Sequence, residues 1–83
     1  MSQKIRVEVR LYASLEKVRP GLKAGEPFFV ELEATTTIKQ LVETLGIAPK
    51  SVQLIFVNGV VRGLDYVLSS GDRVALFPPI GGG

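Results

Sequence analysis

Apolar and polar residues alternate strictly at the start of the chain. In KIRVEVRLY, Ile5, Val7, Val9 and Leu11 fall on one face and Lys4, Arg6, Glu8 and Arg10 on the other, the period-two pattern of a half-buried strand. ASLEKV then suits a short helix or turn, and RPGLKAGEP breaks regular structure with two prolines and two glycines. FFVELE alternates again, with Phe28, Val30 and Leu32 inward and Phe29, Glu31 and Glu33 outward. In TTTIKQLVETLGI the period changes. Ile38, Leu41, Val42 and Leu45 form one helical stripe, which predicts a helix of about three turns. Thr37 and Gln40 have capping-box spacing, Gly46 suits a left-handed C-terminal cap with Ile47 folding back, and Pro49 stops the helix from resuming. SVQLIFVNGVV reads as a strand, a tight turn at Asn58–Gly59 and a short return strand. After the turn-rich GLDYVLSSGD comes RVALF, a last strand with Val74 and Leu76 inward and Phe77 outward.

The predicted order is strand, strand, helix, strand, short strand, strand. The helix covers one face of a mixed sheet of four to five strands, and the first and last strands pair in parallel near its middle. This is an α+β, β-grasp layout. We assign residues 1–77 to one such domain and 78–83, Pro-Pro-Ile-Gly-Gly-Gly, to a flexible tail. No internal repeat or interdomain linker is visible.

Composition narrows the chemistry. A chain of 83 residues makes one small domain that buries about 60–65% of its unfolded surface, and 46% apolar content supplies its core. It contains no cysteine and no histidine, which removes disulfides, thiol nucleophiles and the commonest general base and metal ligand. Ten Lys and Arg against eight Asp and Glu give a net charge of +2, scattered without a basic run, so nucleic acid is not an expected partner. The opening MSQKIRVEVR is charged and alternating, unlike a signal peptide, and no apolar stretch is long enough to span a membrane. A cytoplasmic protein without membrane contact is the expectation.

No ordinary catalytic site is apparent. Lys50–Ser51 are neighbours in a turn, and Glu31 and Glu33 sit on the outward face of a strand, where solvation explains them. The glycines of GLKAG lack the strand–loop–helix setting of a phosphate loop. Attention therefore passes to FPPIGGG. Three successive glycines at a chain end arise by chance roughly once in three thousand sequences. Pro78–Pro79 stiffens the exit from the last strand. The six residues that follow Phe77 reach about 20 Å when extended. Lacking Cβ atoms, Gly81, Gly82 and Gly83 can enter a channel too narrow for other residues. Such a tail suits delivery of a terminal carboxylate into another protein's active site. The carboxylate is ionised at neutral pH and is a poor electrophile until adenylation supplies a leaving group.

These residues resemble the MoaD/ThiS family of ubiquitin-like sulfur carriers. The match is strongest in LIFVNGVVRGLDYVLSSGDRVALFPPIGGG, which has the family's VNG hairpin, GD turn, V-A-hydrophobic strand and FPP-hydrophobic-x-GG end. FPP looks closer to the molybdopterin synthase small subunit (MoaD) than to the thiamine carrier (ThiS). The family tail often has a small or polar residue where Gly81 stands, and RPGLKAGEP is insertion-like. The resemblance implies a sulfur carrier with no catalytic site of its own, acting as the carrier subunit of a molybdopterin synthase-like sulfurtransferase complex. A MoeB/ThiF-like, ubiquitin-activating-type enzyme would adenylate Gly83 with ATP and magnesium, the carrier itself binding no cofactor and no metal. A sulfurtransferase would supply sulfur, and the thiocarboxylate would serve a MoaE-like large subunit in molybdopterin synthesis. Gly82 and Gly83 are then the reacting end. Ile55, Val61, Arg73, Phe77, Pro78, Pro79, Ile80 and Gly81 are the candidate partner-binding residues, with Val57 beside them and Arg6, Arg10 and Arg62 around them. Ile55 is expected to be exposed, because QLIFVNG resembles the ubiquitin segment that carries its recognition isoleucine. Other outcomes stay open: sulfur delivery for thiamine, an amino acid or a tungsten cofactor, a ubiquitin-like modifier, or a β-grasp binding domain that is no carrier.

Overall fold

Strand β1 (Lys4–Leu11) forms where the alternation predicts it, with Val7, Val9 and Leu11 fully buried. The computed structural model describes residues 3–79. β2 (Phe28–Glu33) runs antiparallel to β1, with Ile5 opposite Leu32 and Val7 opposite Val30, so the inward residues of both strands share a face. β3 (Leu54–Val57) turns into β4 (Val60–Val61) through Asn58 and Gly59, at φ 54° and 82°. Two successive positive φ values are what a two-residue hairpin of this hand requires, and Asn-Gly accepts them at least cost. β5 (Arg73–Phe77) lies between β1 and β3, parallel to the first and antiparallel to the second. The sheet is five-stranded, in the order β2-β1-β5-β3-β4. The expected parallel pairing of the terminal strands is present at its centre.

Helix α1 (Ile38–Thr44) contributes Ile38, Leu41 and Val42 to the core. Its start is fixed by the predicted capping box: the Gln40 N–H donates to Thr37 Oγ1 (3.2 Å) and the Thr37 N–H to Gln40 Oε1 (2.9 Å). The remaining free donors of the first turn are met by carbonyls of the β4–β5 connection, Ile38 N–H to Tyr66 O and Lys39 N–H to Leu64 O. At the other end the Ile47 N–H reaches Val42 O and the Gly46 N–H reaches Glu43 O, with Gly46 at φ 83°, a complete Schellman closure. The two caps leave seven helical residues, about two turns rather than the three expected. The apolar stripe includes Leu45, but Leu45 belongs to the cap.

The VNG and SGD turns are joined by Asp72, which is buried. Its carboxylate accepts from Asn58 Nδ2 (2.9 Å) and from the Ser69 N–H (2.8 Å), and Asn58 Oδ1 accepts from the Arg73 N–H (3.0 Å). Two turns separated by 14 residues are thereby held against the start of the central strand.

Candidate functional site

The helix covers one face of the sheet and leaves the other open. Strand parity decides which residues meet each face. Val74 and Leu76 point to the helix. Ile55 lies opposite Leu76 and Val57 opposite Val74, so both belong to the covered face. They are 4% and 2% exposed. Ile55 and Val57 are thus core residues, which overturns the expectation that they lie on the partner-facing surface. LIFV is apolar on both parities, and only its register against β5 separates them.

The residues that do occupy the open face are Leu54 and Phe56, opposite Phe77 and Ala75. Val61 lies opposite Phe56 and is exposed, as expected. Phe77 is half-buried. Its ring stacks on Tyr12, centroids 4.6 Å apart and 7° from parallel, and meets Phe56 edge-on at 5.9 Å. Tyr12 and Phe56 were missed from sequence. Tyr12 had a signal: it continues the outward parity of Arg6, Glu8 and Arg10.

Beside this aromatic group runs a charged band. Arg10 Nε donates to Glu8 Oε2 at 3.0 Å, and this hydrogen bond, with the carboxylate's charge, holds the Arg10 guanidinium still more firmly protonated than usual. Arg6 lies over the Phe29 ring (4.4 Å) and Arg62 over Tyr66 (4.9 Å). The Arg73 guanidinium has no hydrogen-bond, ion-pair or ring partner among the described residues. Glu8, Arg10, Tyr12, Phe56, Asn58, Arg73 and Ala75 are among the residues that line an open depression of about 510 Å³.

The family model described as Mut7-C ubiquitin matches residues 4–81. The chain belongs to the Mut7-C ubiquitin family. No curated protein sequence matches it. Among solved structures, this ubiquitin-family chain is similar to the HVO 2177 protein of Haloferax volcanii, with TM-score 0.75, 21% identity, and coverage of 96% of this chain and 88% of that one. It is similar to small archaeal modifier protein 1 of H. volcanii, with TM-score 0.69, 22% identity, and coverage of 92% and 99%. It is also similar to the complex of subunits 1 and 2 of molybdopterin-converting factor from Helicobacter pylori, with TM-score 0.53, 26% identity, and coverage of 95% and 100%. The β-grasp fold expected from the sequence is the fold these proteins share.

In this ubiquitin-like frame the strand carrying Arg73 and Phe77 is central, and Pro78, half-buried, and Pro79, exposed, follow it directly. Ile80, Gly81, Gly82 and Gly83 lie outside the described residues. Among the described residues no three His, Cys, Asp or Glu side chains form a metal-binding group, and no helix is long and apolar enough to cross a membrane.

Proposed function

We propose that the chain is a sulfur carrier working through the carboxylate of Gly83. The observation that carries the reading is the continuity of the central strand with Pro-Pro-Ile-Gly-Gly-Gly in a chain of the ubiquitin family. The carboxylate oxygen attacks the α-phosphorus of ATP, held with magnesium on an activating enzyme, and pyrophosphate leaves. A persulfide sulfur from a sulfurtransferase then displaces AMP, and a thiol cleaves the resulting acyl disulfide to release the thiocarboxylate. The carrier supplies no acid or base, which agrees with a chain lacking histidine and cysteine.

The sulfur is destined for molybdopterin, with a second synthase subunit as acceptor. FPP before the glycines and the likeness to molybdopterin-converting factor subunit 1 support this choice. Residues 1–77 act as the docking body and 78–83 as the delivered tail. The body docks through the open face, where Phe56, Val61 and Phe77 supply apolar contact and Arg73 supplies a charge with no partner among the described residues. Attack of a lysine on the same adenylate would instead make a modifier. The likeness to small archaeal modifier protein 1 keeps that outcome in the test.

The test is an intact mass spectrum of the protein purified from its own cells. A species heavier by one sulfur-for-oxygen exchange, in a peptide ending at Gly83, is expected. An unmodified end after incubation with activating enzyme, ATP and a sulfur source would overturn the carrier reading, as would a natural chain continuing past Gly83. Higher-mass conjugates without thiocarboxylate would select the modifier. Deleting Gly82–Gly83 should abolish adenylation and leave the melting temperature unchanged.

A further inference from the structure

Asn58 is the only asparagine of the chain, and a glycine follows it. An Asn-Gly pair is chemically labile, because its backbone can attack its own side chain. The Gly59 nitrogen bonds to Asn58 Cγ, the bond from Cγ to Nδ2 breaks, and ammonia leaves with the proton of the Gly59 N–H. Water then opens the succinimide at either carbonyl, which gives aspartate or isoaspartate. Gly59 has no side chain to crowd the attacking nitrogen, and nothing lies within 4 Å of where its Cβ would stand. Both residues are exposed, so water reaches them.

The fold opposes this reaction with a clamp. Asn58 Nδ2 donates to Asp72 Oδ1 (2.9 Å) and Asn58 Oδ1 accepts from the Arg73 N–H (3.0 Å), so both ends of the amide are engaged. The Asn58 N–H donates to Arg73 O (2.8 Å), which holds the backbone of the same residue. Cyclisation needs Cγ to become tetrahedral and Nδ2 to take up a proton before it departs. An Nδ2 that donates to a carboxylate is stabilised in the planar, unreacted state. The clamp is itself anchored. Asp72 is buried, and its Oδ2 accepts from the Ser69 N–H (2.8 Å). Its N–H donates to Ser69 O (3.1 Å) and its carbonyl accepts from the Glu8 N–H (2.9 Å).

We propose that Asn58–Gly59 is a self-modification site that Asp72 keeps closed in the folded chain. Once formed, the product does not fit. Aspartate at position 58 sets a carboxylate oxygen where Nδ2 now donates, directly against the Asp72 carboxylate. Isoaspartate lengthens the backbone of a two-residue hairpin by a methylene, which its geometry does not admit. Either product releases the link between the two turns. Either also adds negative charge to the depression that Asn58 lines with Arg73. The inference stands whether or not the chain carries sulfur.

The test incubates the full-length chain at mildly alkaline pH and follows peptide 51–62 by mass spectrometry. Exchange of the amide NH2 for OH is read by mass, and aspartate is separated from isoaspartate by retention. Asp72→Ala should convert about tenfold faster or more than the unaltered chain, the factor expected when a hydrogen bond to a buried charge is lost. Ile55→Ala, which weakens the core and leaves the clamp in place, should show no such acceleration while folded. Equal acceleration in Ile55→Ala would reduce Asp72 to a general contributor to stability and overturn the proposal. An Asp72→Ala chain that converts no faster than the unaltered one would overturn it as well. Should Asp72→Ala not fold, Asp72→Asn takes its place under the same criterion, since its one amide oxygen cannot serve both the Ser69 N–H and Asn58. The unaltered chain unfolded in guanidinium should also convert about tenfold faster or more than in buffer. Equal rates there would mean that the fold closes nothing. Asn58→Asp, which makes one product directly, should melt below the unaltered chain. An unchanged midpoint would overturn the claim that Asp72 rejects the product.

Discussion

The two faces of the central sheet are built from the same strands by opposite rules. On the covered face stand Val7, Val9, Leu11, Ile55, Val57, Val74 and Leu76, all aliphatic and none more than 4% exposed. On the open face, one residue out of step, stand Arg6, Glu8, Arg10, Phe56, Arg73, Ala75 and Phe77. The covered face requires only volume and the absence of polar atoms, so its members are exchangeable within limits of packing. The open face carries arginines, a carboxylate and stacked aromatic rings in defined contacts, which no packing requirement demands. A substitution is therefore best judged by parity along the strand, since a step of one residue moves it from the core to the face that we propose for docking.

The largest effect expected comes from neighbours on opposite faces. Ile55→Ala should cost about 2–5 kcal/mol, because it empties a buried site in the hydrophobic core. Phe56→Ala removes a bigger side chain but from a half-buried, edge-on contact with Phe77, and should cost less. Denaturant titration of both variants checks the order. If Phe56→Ala proved the costlier, the division of the sheet into a covered face that carries the stability and an open face that carries little of it would be wrong.

Much of the fold is legible in the sequence, for a physical reason in each case. β1 and β2 alternate apolar with charged residues, so their faces follow from pattern alone. The caps of α1 and the Asn58–Gly59 turn follow from backbone geometry that few residues satisfy. The faces of β3 do not follow, because Leu54, Ile55, Phe56 and Val57 are apolar on both parities. Likeness to a ubiquitin segment suggested exposure for Ile55, whereas pairing with Leu76 buries it. Tyr12 and segment 19–27 were obscure for another reason. Tyr12 meets Gly25 of that segment and, separately, Phe77 at the end of the last strand, and no local period encodes such meetings. Of the candidate site, Phe77, Val61 and Arg73 were placed on the correct face by alternation and by the hairpin.

Smaller effects sharpen the comparison at its margins, where polar groups serve the covered side. Asp72→Ala should cost about 1–3 kcal/mol, since the Ser69 N–H and the Asn58 amide lose a buried acceptor. For a domain of this size that is a fall in melting temperature of about 4–8 °C for each kcal/mol. Thr37→Ala should cost about 1 kcal/mol by opening the capping box of α1. Thermal melts of the two variants rank them. A Thr37→Ala loss exceeding that of Asp72→Ala would mean that the link between the hairpin and the start of β5 matters less than the helix cap.

Arg73→Ala should give the smallest change in stability, within about 0.5 kcal/mol, because its guanidinium is exposed and engages nothing among the described residues. It is also where the two faces differ most in kind. Arg73 shares the depression with Glu8 and Arg10, but Arg10 is engaged with Glu8, whereas the Arg73 guanidinium has no partner among the described residues and could meet an incoming carboxylate. On the carrier function proposed above, binding to the activating enzyme should weaken by about tenfold while the melting curve stays in place. Raising the salt concentration should narrow the gap between Arg73→Ala and the unaltered chain, as screening weakens the charge that only the latter carries. An affinity loss that persists undiminished at high salt would assign Arg73 a packing role instead and remove the charged band from the proposed docking face.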